Sequence, residues 1–332
     1  MTTLAVGVVG AGWMATDYHI PAFESHPQTR VAAVAERDAE RRTAVGEEFS
    51  LPTYADATTM LAETALDAVS ICTPPATHEP IFLAAVEAGC HVLCEKPLTT
   101  DADSARRMRD AAHDRGVVTQ VGYLHRYYEN YQRALTILSN TLVGDLVEVT
   151  VAHHSAPPNQ GWYYDPTVSG GGVARDLFPH SLDVVLDLFE APPTVTAASV
   201  RSLADRGVED TARLSLWFDG VPVDLSASWT QTDGVSRFLV VGTEGWLELS
   251  PESLTGEVHG RPLEFEHGSL PLVDVGVADL YPAGDEDPHT ARIHDFADHA
   301  AAGDTDTTAP VERGVAITEL LDTAYERAEG DG

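Results

Sequence analysis

A glycine-rich turn directly after a short apolar run constrains the fold of this chain more than any other feature. The run Leu4 to Val9 ends at Gly10-Ala11-Gly12-Trp13-Met14-Ala15, which has the pattern G-x-G-x-x-A. Gly10 permits a tight turn, Gly12 lets the backbone approach a pyrophosphate, and Ala15 lets a helix pack closely on the strand. The pattern predicts a dinucleotide-binding strand–turn–helix, although a glycine turn in another α/β unit would have the same letters.

An acidic residue stands at the distance that such a turn requires. A second apolar run, Val31 to Ala35, ends at Glu36, 24 residues after Gly12. A carboxylate there accepts hydrogen bonds from the ribose hydroxyls of NAD and repels the ribose phosphate of NADP, so NAD is favoured. Three arginines come soon after Glu36: Arg37, Arg41 and Arg42. They could turn toward a ribose phosphate, which keeps NADP open as the cofactor, or they could form a solvated helix face.

Strand-like and helix-like segments alternate as far as about residue 122. Strands are predicted at 66–72, 91–94 and 117–121, and helices at 38–49, 77–88 and 101–115. This alternation predicts an α/β Rossmann domain, a doubly wound parallel sheet over residues 1–122. Ligands of such sheets collect at the carboxyl ends of the strands. The residues just past these strands are Glu36, Thr73, Pro74, Lys96 and Tyr123. His78 either lines the same cleft or only sits in the first turn of its helix.

The pattern changes after residue 123. Short alternating segments are predicted as strands at 146–153, 194–202, 210–218, 221–230, 235–241 and 245–249, with weaker ones near 255–266. Asp219-Gly220 between two of them indicates a hairpin. Helices are predicted at about 127–140, 173–189, 289–302 and 311–328. Residues 123–332 therefore read as an α+β domain with a large, mainly antiparallel sheet.

The charge of the chain limits its partners. It has 52 acidic and 20 basic residues, a net charge of −32, spread along the whole length. Such a surface repels phosphate backbones and anionic lipid, so neither nucleic acid nor a membrane is an expected partner. The near absence of lysine is typical of proteins from salt-accumulating halophiles. Without an apolar run of 18 residues or a cationic leader, a cytoplasmic location is expected.

The cysteines predict neither disulfides nor a metal site. Cys72, Cys90 and Cys94 are odd in number and fall in one short region, so they are read as buried thiols of a reducing compartment. A metal site formed with His91 would lack a fourth ligand, and none is predicted.

Lys96 is the only lysine among the 20 basic residues; the other 19 are arginine. A single remaining lysine indicates a position where arginine cannot replace it, because lysine is a compact ammonium and arginine a planar fork. It follows a predicted strand within Glu95-Lys96-Pro97, at the edge of the sheet where the cofactor is expected. The alternative, a leftover surface residue, is disfavoured by these neighbours.

A carboxylate and an imidazole share one helix face in the second domain. The helix that follows Gly170-Gly171-Gly172 carries Asp176 and His180, four residues apart. A carboxylate one turn from an imidazole can orient it and raise its basicity, which suits a general base. Taken alone, the pair is better explained as an i,i+4 contact that only stabilises the helix.

Four motifs in order give the chain a family resemblance. The glycine turn at Gly10, Thr73-Pro74, Glu95-Lys96-Pro97 and the glycine run ending at His180 together resemble the Gfo/Idh/MocA oxidoreductases, relatives of glucose–fructose oxidoreductase and inositol 2-dehydrogenase. Val121-Gly122-Tyr123 and Val241-Gly242-Thr243-Glu244-Gly245 extend the resemblance over nearly the full length. It implies these cofactor contacts: Gly10, Gly12, Trp13, Met14, Ala15, Glu36, Arg37, Thr73, Pro74, His78, Glu95, Lys96 and Tyr123.

The resemblance also implies a mechanism. His180 takes the proton of a substrate hydroxyl while hydride leaves the carbon for the cofactor, Lys96 stabilises the developing alkoxide, and Asp176 orients the site. The Lys96–Pro97 peptide bond is expected to be cis, as in similar proteins. The chain departs from many relatives at Pro75, Leu124 and His125, which puts substrate contacts in doubt. Candidate substrate contacts in the irregular stretch before the glycine run, or aromatic residues that merely pack beneath a loop, are His154, Trp162, Tyr163 and Tyr164.

The leading prediction is an NAD(P)-dependent dehydrogenase that oxidises a secondary hydroxyl or anomeric carbon of a sugar, polyol or inositol. One alternative is a glycosidase-type hydrolase that uses tightly held NAD for transient oxidation. A second is a non-catalytic, cofactor-sensing binding protein, which would be expected to lose the lysine or histidine. The family also suggests a homodimer or homotetramer built on the sheet faces.

Overall fold

The computed structural model describes residues 3–230, 234–266 and 286–330. Contacts group the chain into two compact units. The first contains residues up to Tyr123, Thr167–Gly170 and Asp287–Glu319; the second contains the described residues of Leu124–Pro166, Gly171–Glu286 and Leu320–Gly332.

Strands and helices are numbered in chain order. The strands are β1 (Leu4–Val9), β2 (Thr29–Ala35), β3 (Thr53–Tyr54), β4 (Ala68–Ile71), β5 (His91–Cys94), β6 (Thr119–Val121), β7 (Leu146–His154), β8 (Thr194–Arg201), β9 (Thr211–Phe218), β10 (Val221–Ser228), β11 (Val235–Gly242), β12 (Gly245–Leu249), β13 (Ser253–Val258) and β14 (Arg261–Glu266). The α-helices are α1 (Ile20–Ser25), α2 (Ala39–Phe49), α3 (Ala57–Glu63), α4 (His78–Glu87), α5 (Ala102–Arg115), α6 (Glu129–Ser139), α7 (Pro166–Ser169), α8 (Val173–Val185), α9 (Pro288–Ala302) and α10 (Val311–Gly330).

The first unit contains the predicted doubly wound sheet. Its strands are all parallel in the order β3-β2-β1-β4-β5-β6. A π-helical segment, Ala15–His19, leads from the glycine turn into α1. Aspartates at the N-caps start α2, α3, α5 and α9, each accepting from backbone amides of the first turn: Asp38, Asp56, Asp101 and Asp287. The acidic composition therefore contributes to helix initiation as well as to surface charge.

The first unit is larger than the predicted residues 1–122. The sequence prediction placed everything after residue 122 in the second domain, but α9 and the first part of α10 belong to the first unit. The reason is the apolar face of α9: Ile293, Phe296 and Ala297 are fully buried in one cluster with residues of β1, α1 and β2. Periodicity alone predicts this helix but does not show which core it completes.

The second unit contains the predicted, mainly antiparallel sheet. Its order is β14-β13-β12-β11-β7-β10-β9-β8, and the central pair β7–β10 is parallel. Buried and exposed residues alternate, as in β9, where Leu214 and Leu216 are buried and Arg213 and Trp217 are exposed. Helix α8 packs against β7, β9 and β10, and α6 against β12 and β13. The predicted hairpin joins β9 to β10 through Asp219 and Gly220, both with positive φ.

None of the helices in the described part of the chain combines the length and hydropathy needed to cross a membrane.

Candidate active site

The glycine turn leaves an open backbone face at the end of β1. Gly10 has φ +96°, and a Cβ there would lie 2.6 Å from the carbonyl oxygen of Cys72, so only glycine fits. A Cβ on Gly12 would meet no atom within 4 Å, while the Gly12 carbonyl accepts from the amide of Ala15, which is fully buried. Trp13 is half-exposed beside the turn. The turn therefore has the open cradle that a dinucleotide pyrophosphate requires.

Glu36 lies directly beside this turn. Its Oε2 accepts from the amide of Ala11 at 2.8 Å, and its Oε1 accepts from the amide of Asp38 at 2.8 Å. The buried carboxylate is thus fixed by two backbone donors and keeps lone pairs for ribose hydroxyls. Arg42 donates to the backbone carbonyls of Glu36 and Arg37, so its guanidinium is occupied locally. The exposed side chain of Arg37 remains on the surface beside it.

The segment after β4 is held by His78. Thr73 Oγ1 accepts from Thr77 Oγ1, and Pro74 precedes a short 3₁₀ turn. His78 is fully buried: its Nε2 lies 2.6 Å from the Thr73 carbonyl and its Nδ1 3.1 Å from the Pro97 carbonyl. Burial lowers the pKa of His78. This geometry supports the alternative, in which His78 sits in the first turn of α4, and its contact with the cofactor stays a prediction.

Lys96 follows β5, and its side chain is half-buried. The Lys96–Pro97 peptide bond is cis, as predicted. Strands β1, β4 and β5 are neighbours in the parallel sheet, so Lys96, Thr73 and the glycine turn lie at the same edge.

Two other predicted cofactor contacts face the interior. The carboxylate of Glu95 is buried against His19 and Arg292, and its contact with the cofactor stays a prediction. The side chain of Tyr123 is 1% exposed. Only backbone atoms of Tyr123 are therefore placed for the predicted contact.

The glycine run before α8 is required because the backbone near Glu209 passes very close to it. A Cβ on Gly172 would lie 2.0 Å from the carbonyl oxygen of Glu209. The Glu209 carboxylate accepts from the amides of Gly172 and Ala174 at 2.9 and 3.2 Å, and from the hydroxyl of Tyr325 at 2.6 Å. Burial first, and then the charge of Glu209, raises the pKa of Tyr325. Glu209 thus caps the N-terminus of the helix that carries Asp176 and His180.

Asp176 and His180 each have aromatic neighbours within the second unit. Asp176 Oδ2 accepts from the indole nitrogen of Trp229 at 3.3 Å. The ring of His180 stacks on that of His125, with centroids 4.9 Å apart, and His153 lies 5.3 Å from His125. The helix therefore presents an imidazole within a group of three, beside a carboxylate fixed by an indole.

Asp183, which lies farther along α8, does not join this group. It is fully buried and pairs with Arg126 through two hydrogen bonds, of 2.8 and 2.5 Å. Burial opposes the charge of Arg126, but Asp183 outweighs it and raises the pKa of the guanidinium. Asp183 therefore anchors α8 to the segment that carries His125.

His154, a predicted substrate contact, and its neighbour His153 lie on opposite faces of β7. Successive residues of β7 point to opposite faces, and His153 faces the rings of His125 and His180. The ring of His154 points to the other face, where its Nε2 lies 3.2 Å from Ser226 Oγ. Burial, with a smaller effect of Arg213, lowers the pKa of His154. One residue in register separates the two environments, and the substrate contact of His154 stays a prediction.

The aromatic residues of the irregular stretch pack around Trp229. Trp162 stacks on Tyr163 at 3.8 Å, and Tyr163 and Tyr164 make edge contacts with Trp229 at 6.2 and 6.0 Å. Tyr164 also donates its hydroxyl to the Pro158 carbonyl. These contacts support the packing alternative, and a substrate contact for Trp162 and Tyr164 stays a prediction.

Sequence reasoning did not single out several residues of these groups. His153 is a histidine next to another histidine, so the sequence does not distinguish the two. Trp229 and Arg292 lie far along the chain and belong to no recognisable motif. His125 stands out in the sequence only because it departs from the family pattern. Within the described residues, no group of three or more His, Cys, Asp and Glu side chains has the arrangement of a metal site.

A glycine turn of this geometry on a parallel sheet, with a carboxylate beside it, defines the class of dinucleotide-binding proteins. Residues 4–123 match a family model described as an oxidoreductase family with an NAD-binding Rossmann fold. Residues 131–248 match the GFO/IDH/MocA C-terminal domain. The chain therefore belongs to the GFO/IDH/MocA oxidoreductase family.

Individual relatives extend over most of the chain. It is 28% identical to D-xylose 1-dehydrogenase (NADP(+)) 2 of Haloferax volcanii, covering 97% of each chain. It is 32% identical to dTDP-3,4-didehydro-2,6-dideoxy-alpha-D-glucose 3-reductase of Streptomyces violaceoruber, covering 89% of this chain and 84% of the relative. The solved structure of a levoglucosan dehydrogenase in complex with NADH and levoglucosan has a similar fold, with a TM-score of 0.87, 19% identity and coverage of 100% and 98%.

Proposed function

We propose that this oxidoreductase is an NAD(P)-dependent dehydrogenase of a sugar, polyol or inositol, which oxidises a secondary hydroxyl or the anomeric carbon. The observation that carries the proposal is the position of Lys96. The only lysine of the chain follows β5 at the sheet edge that also carries the open glycine turn. The names of the relatives support the substrate class, because each acts on a sugar or sugar derivative.

In the proposed mechanism, the bound nicotinamide supplies the hydride acceptor. Lys96 donates a hydrogen bond to the substrate oxygen and stabilises the alkoxide character that hydride loss requires. His180 accepts the hydroxyl proton. Asp176, held by Trp229, orients the site. Oxidation converts the alcohol to a ketone, or a lactol to a lactone, and releases one proton through His180.

NAD is the proposed preferred cofactor. The Glu36 carboxylate is buried and fixed by two amides, so a ribose phosphate would meet a negative charge that cannot easily turn away. Arg42, one of the three arginines that kept NADP open in the sequence, donates hydrogen bonds to backbone carbonyls. The name of the Haloferax volcanii relative specifies NADP(+), so NADP is the cofactor to compare with NAD in the assay.

The proposed assembly is a homodimer or homotetramer that covers the face of the second sheet opposite α8. Trp217 and Trp246 lie on this face and are 47% and 39% exposed. Large aromatic residues at this exposure, on one face of a sheet, are typical of a surface that another chain covers.

The test is a substrate screen with pentoses, hexoses, uronates and inositols, with NAD and with NADP at molar salt, following the absorbance of the reduced cofactor. Lys96→Ala and His180→Ala should each lose about 100-fold or more in kcat. His154→Ala is the matched control, because it removes a half-buried imidazole of the same unit from the opposite face of β7, and it should keep kcat within about threefold. Wild-type turnover in Lys96→Ala or His180→Ala would refute the assigned roles.

A further inference from the structure

A half-exposed indole stands directly after the glycine turn. Trp13 follows Gly12, and its side chain is 50% exposed. The Gly12 carbonyl accepts from the amides of Ala15 and Thr16 at 2.9 and 3.1 Å, so Trp13 lies in the first helical turn beyond the pyrophosphate cradle. An indole beside such a cradle is an apolar surface that the ribose or the base of a dinucleotide can cover.

The π-helical segment that follows places a second ring against this indole. Its hydrogen bond from the amide of Ile20 to the carbonyl of Ala15 joins residues five positions apart. An α-helix brings residues three and four apart together, whereas the wider π-turn brings together residues five apart. Trp13 and Tyr18 have this spacing, and their rings meet edge to face, with centroids 5.9 Å apart. The π-turn therefore places Tyr18 on the same side of the helix as Trp13.

His289 of α9 packs in turn on the ring of Tyr18. The two rings stack with centroids 4.0 Å apart and planes 26° apart. Helix α9 also packs against the π-helical segment and α1, within the first unit. Burial, with a smaller effect of Arg292, lowers the pKa of His289 to about 4, so a neutral imidazole faces the phenol at pH 7. Three rings thus lie in contact from α9 to the glycine turn, and we call them the aromatic row: Trp13, Tyr18 and His289.

We propose, building on the NAD(P) site proposed above, that Tyr18 and His289 are positioning residues. They hold the Trp13 indole as a fixed apolar wall of the cofactor site, on which the dinucleotide packs beside its pyrophosphate. A half-exposed indole without such support samples several rotamers, and ordering it on binding costs affinity. A ring that is already held by two others reduces this cost. Each ring contributes as one member of an aromatic pair, so its removal weakens binding several-fold and does not abolish it.

Calorimetric titration of the nucleotide-free protein with NADH and with NADPH at molar salt tests this role without a substrate. Trp13→Ala should weaken binding of the preferred cofactor about tenfold, Tyr18→Leu about fivefold and His289→Ala about threefold. Tyr18→Phe keeps the ring and should stay within about twofold of the parent. Phe189→Leu is the matched control, because it removes one ring of a stacked pair in the second unit, with centroids 4.1 Å apart. It should also stay within about twofold.

Coupling between the rings separates positioning from a general effect on the fold. Because Tyr18 acts through Trp13, Tyr18→Leu should change the affinity by less than about twofold when residue 13 is already alanine. A further loss of about fivefold in that background would overturn the proposal, as would parent affinity in Trp13→Ala or in folded Tyr18→Leu. Equal losses in Tyr18→Phe and Tyr18→Leu would overturn it as well. Should Tyr18→Leu fail to fold, His289→Ala with and without Trp13→Ala gives the same cycle and decides equally.

The indole itself gives a second readout. With 5-fluorotryptophan in place of the five tryptophans, Trp13→Phe identifies the fluorine resonance of Trp13. In the nucleotide-free protein, Tyr18→Leu should move this resonance toward its position in the unfolded chain, and NADH should shift it in the parent. A resonance that neither change moves would overturn the positioning role. A parent that binds NADH but oxidises no sugar would refute the proposed dehydrogenase activity and leave the role of the aromatic row intact, whereas a parent that binds neither NADH nor NADPH would overturn both.

Discussion

Removal of the Glu209 carboxylate is expected to loosen the start of α8 and to lower both stability and turnover. Its Oε1 accepts from two backbone amides and from the Tyr325 hydroxyl, at 2.6–3.2 Å. A hydrogen bond to a charged group contributes about 1.5–3 kcal/mol when buried, and Glu209 is only half-buried, so the lower limit applies. Glu209→Ala should therefore lose roughly 3 kcal/mol of unfolding free energy after partial replacement by water.

Urea unfolding followed by circular dichroism at fixed molar salt measures this loss. Glu209→Gln keeps the accepting oxygen but removes its charge and should lose about half as much, while Tyr325→Phe, which removes one donor, should lose about 1 kcal/mol. Because α8 carries His180, Glu209→Ala should also lower kcat about tenfold, whereas Tyr325→Phe should change it by less than about threefold. An unfolding midpoint of Glu209→Ala equal to that of the parent would refute the capping role.

Three other predictions concern pH, cofactor choice and assembly. Burial lowers the pKa of His19 and His78, and that of His289 to about 4, so the unfolded chain binds more protons below pH 6.5 and stability should fall from pH 7 to pH 5. His289→Phe should reduce this fall by about 1 kcal/mol in urea titrations at the two pH values, after allowance for its partial exposure; an unchanged fall would contradict the assignment. Glu36→Gln should lower the NAD-to-NADP ratio of kcat/KM about tenfold, and an unaltered ratio would show that the carboxylate does not discriminate. Trp217→Asp should shift the mass measured by light scattering toward the monomer at micromolar concentration, and an unshifted mass would exclude this face as the interface.

The sequence predicts most of the fold because its signals are local. The Gly10 turn, the alternation of β9 and the Asp219-Gly220 hairpin each report a backbone requirement within a few residues, and the structure contains all three. The extent of the first unit was not predictable in this way. Helix α9 has the periodicity of a helix, but which of two cores its apolar face joins depends on tertiary packing.

The candidate site likewise contains residues that local sequence signals predict and residues that depend on tertiary packing. Glu36 and the open face at Gly12 lie where motif spacing predicts them. His154 and His153 have the same letter and adjacent positions, so the choice between them depends on strand register, which one sequence does not specify. Glu95 belongs to a recognisable motif, but its partner Arg292 does not. An arginine that pairs with an acid far away in the sequence cannot be distinguished from a surface arginine by sequence alone.

The completion of the first unit by α9 has a consequence for biosynthesis. A ribosome releases β1 to β6 long before it reaches Arg292, so the nascent sheet emerges with Glu95 lacking the guanidinium that compensates its charge. The first unit therefore cannot reach its final state during synthesis of its own strands. A chain shortened before α9 loses that cation as well as an apolar helix face, so we expect residues 1–122 alone to be less stable than the complete first unit.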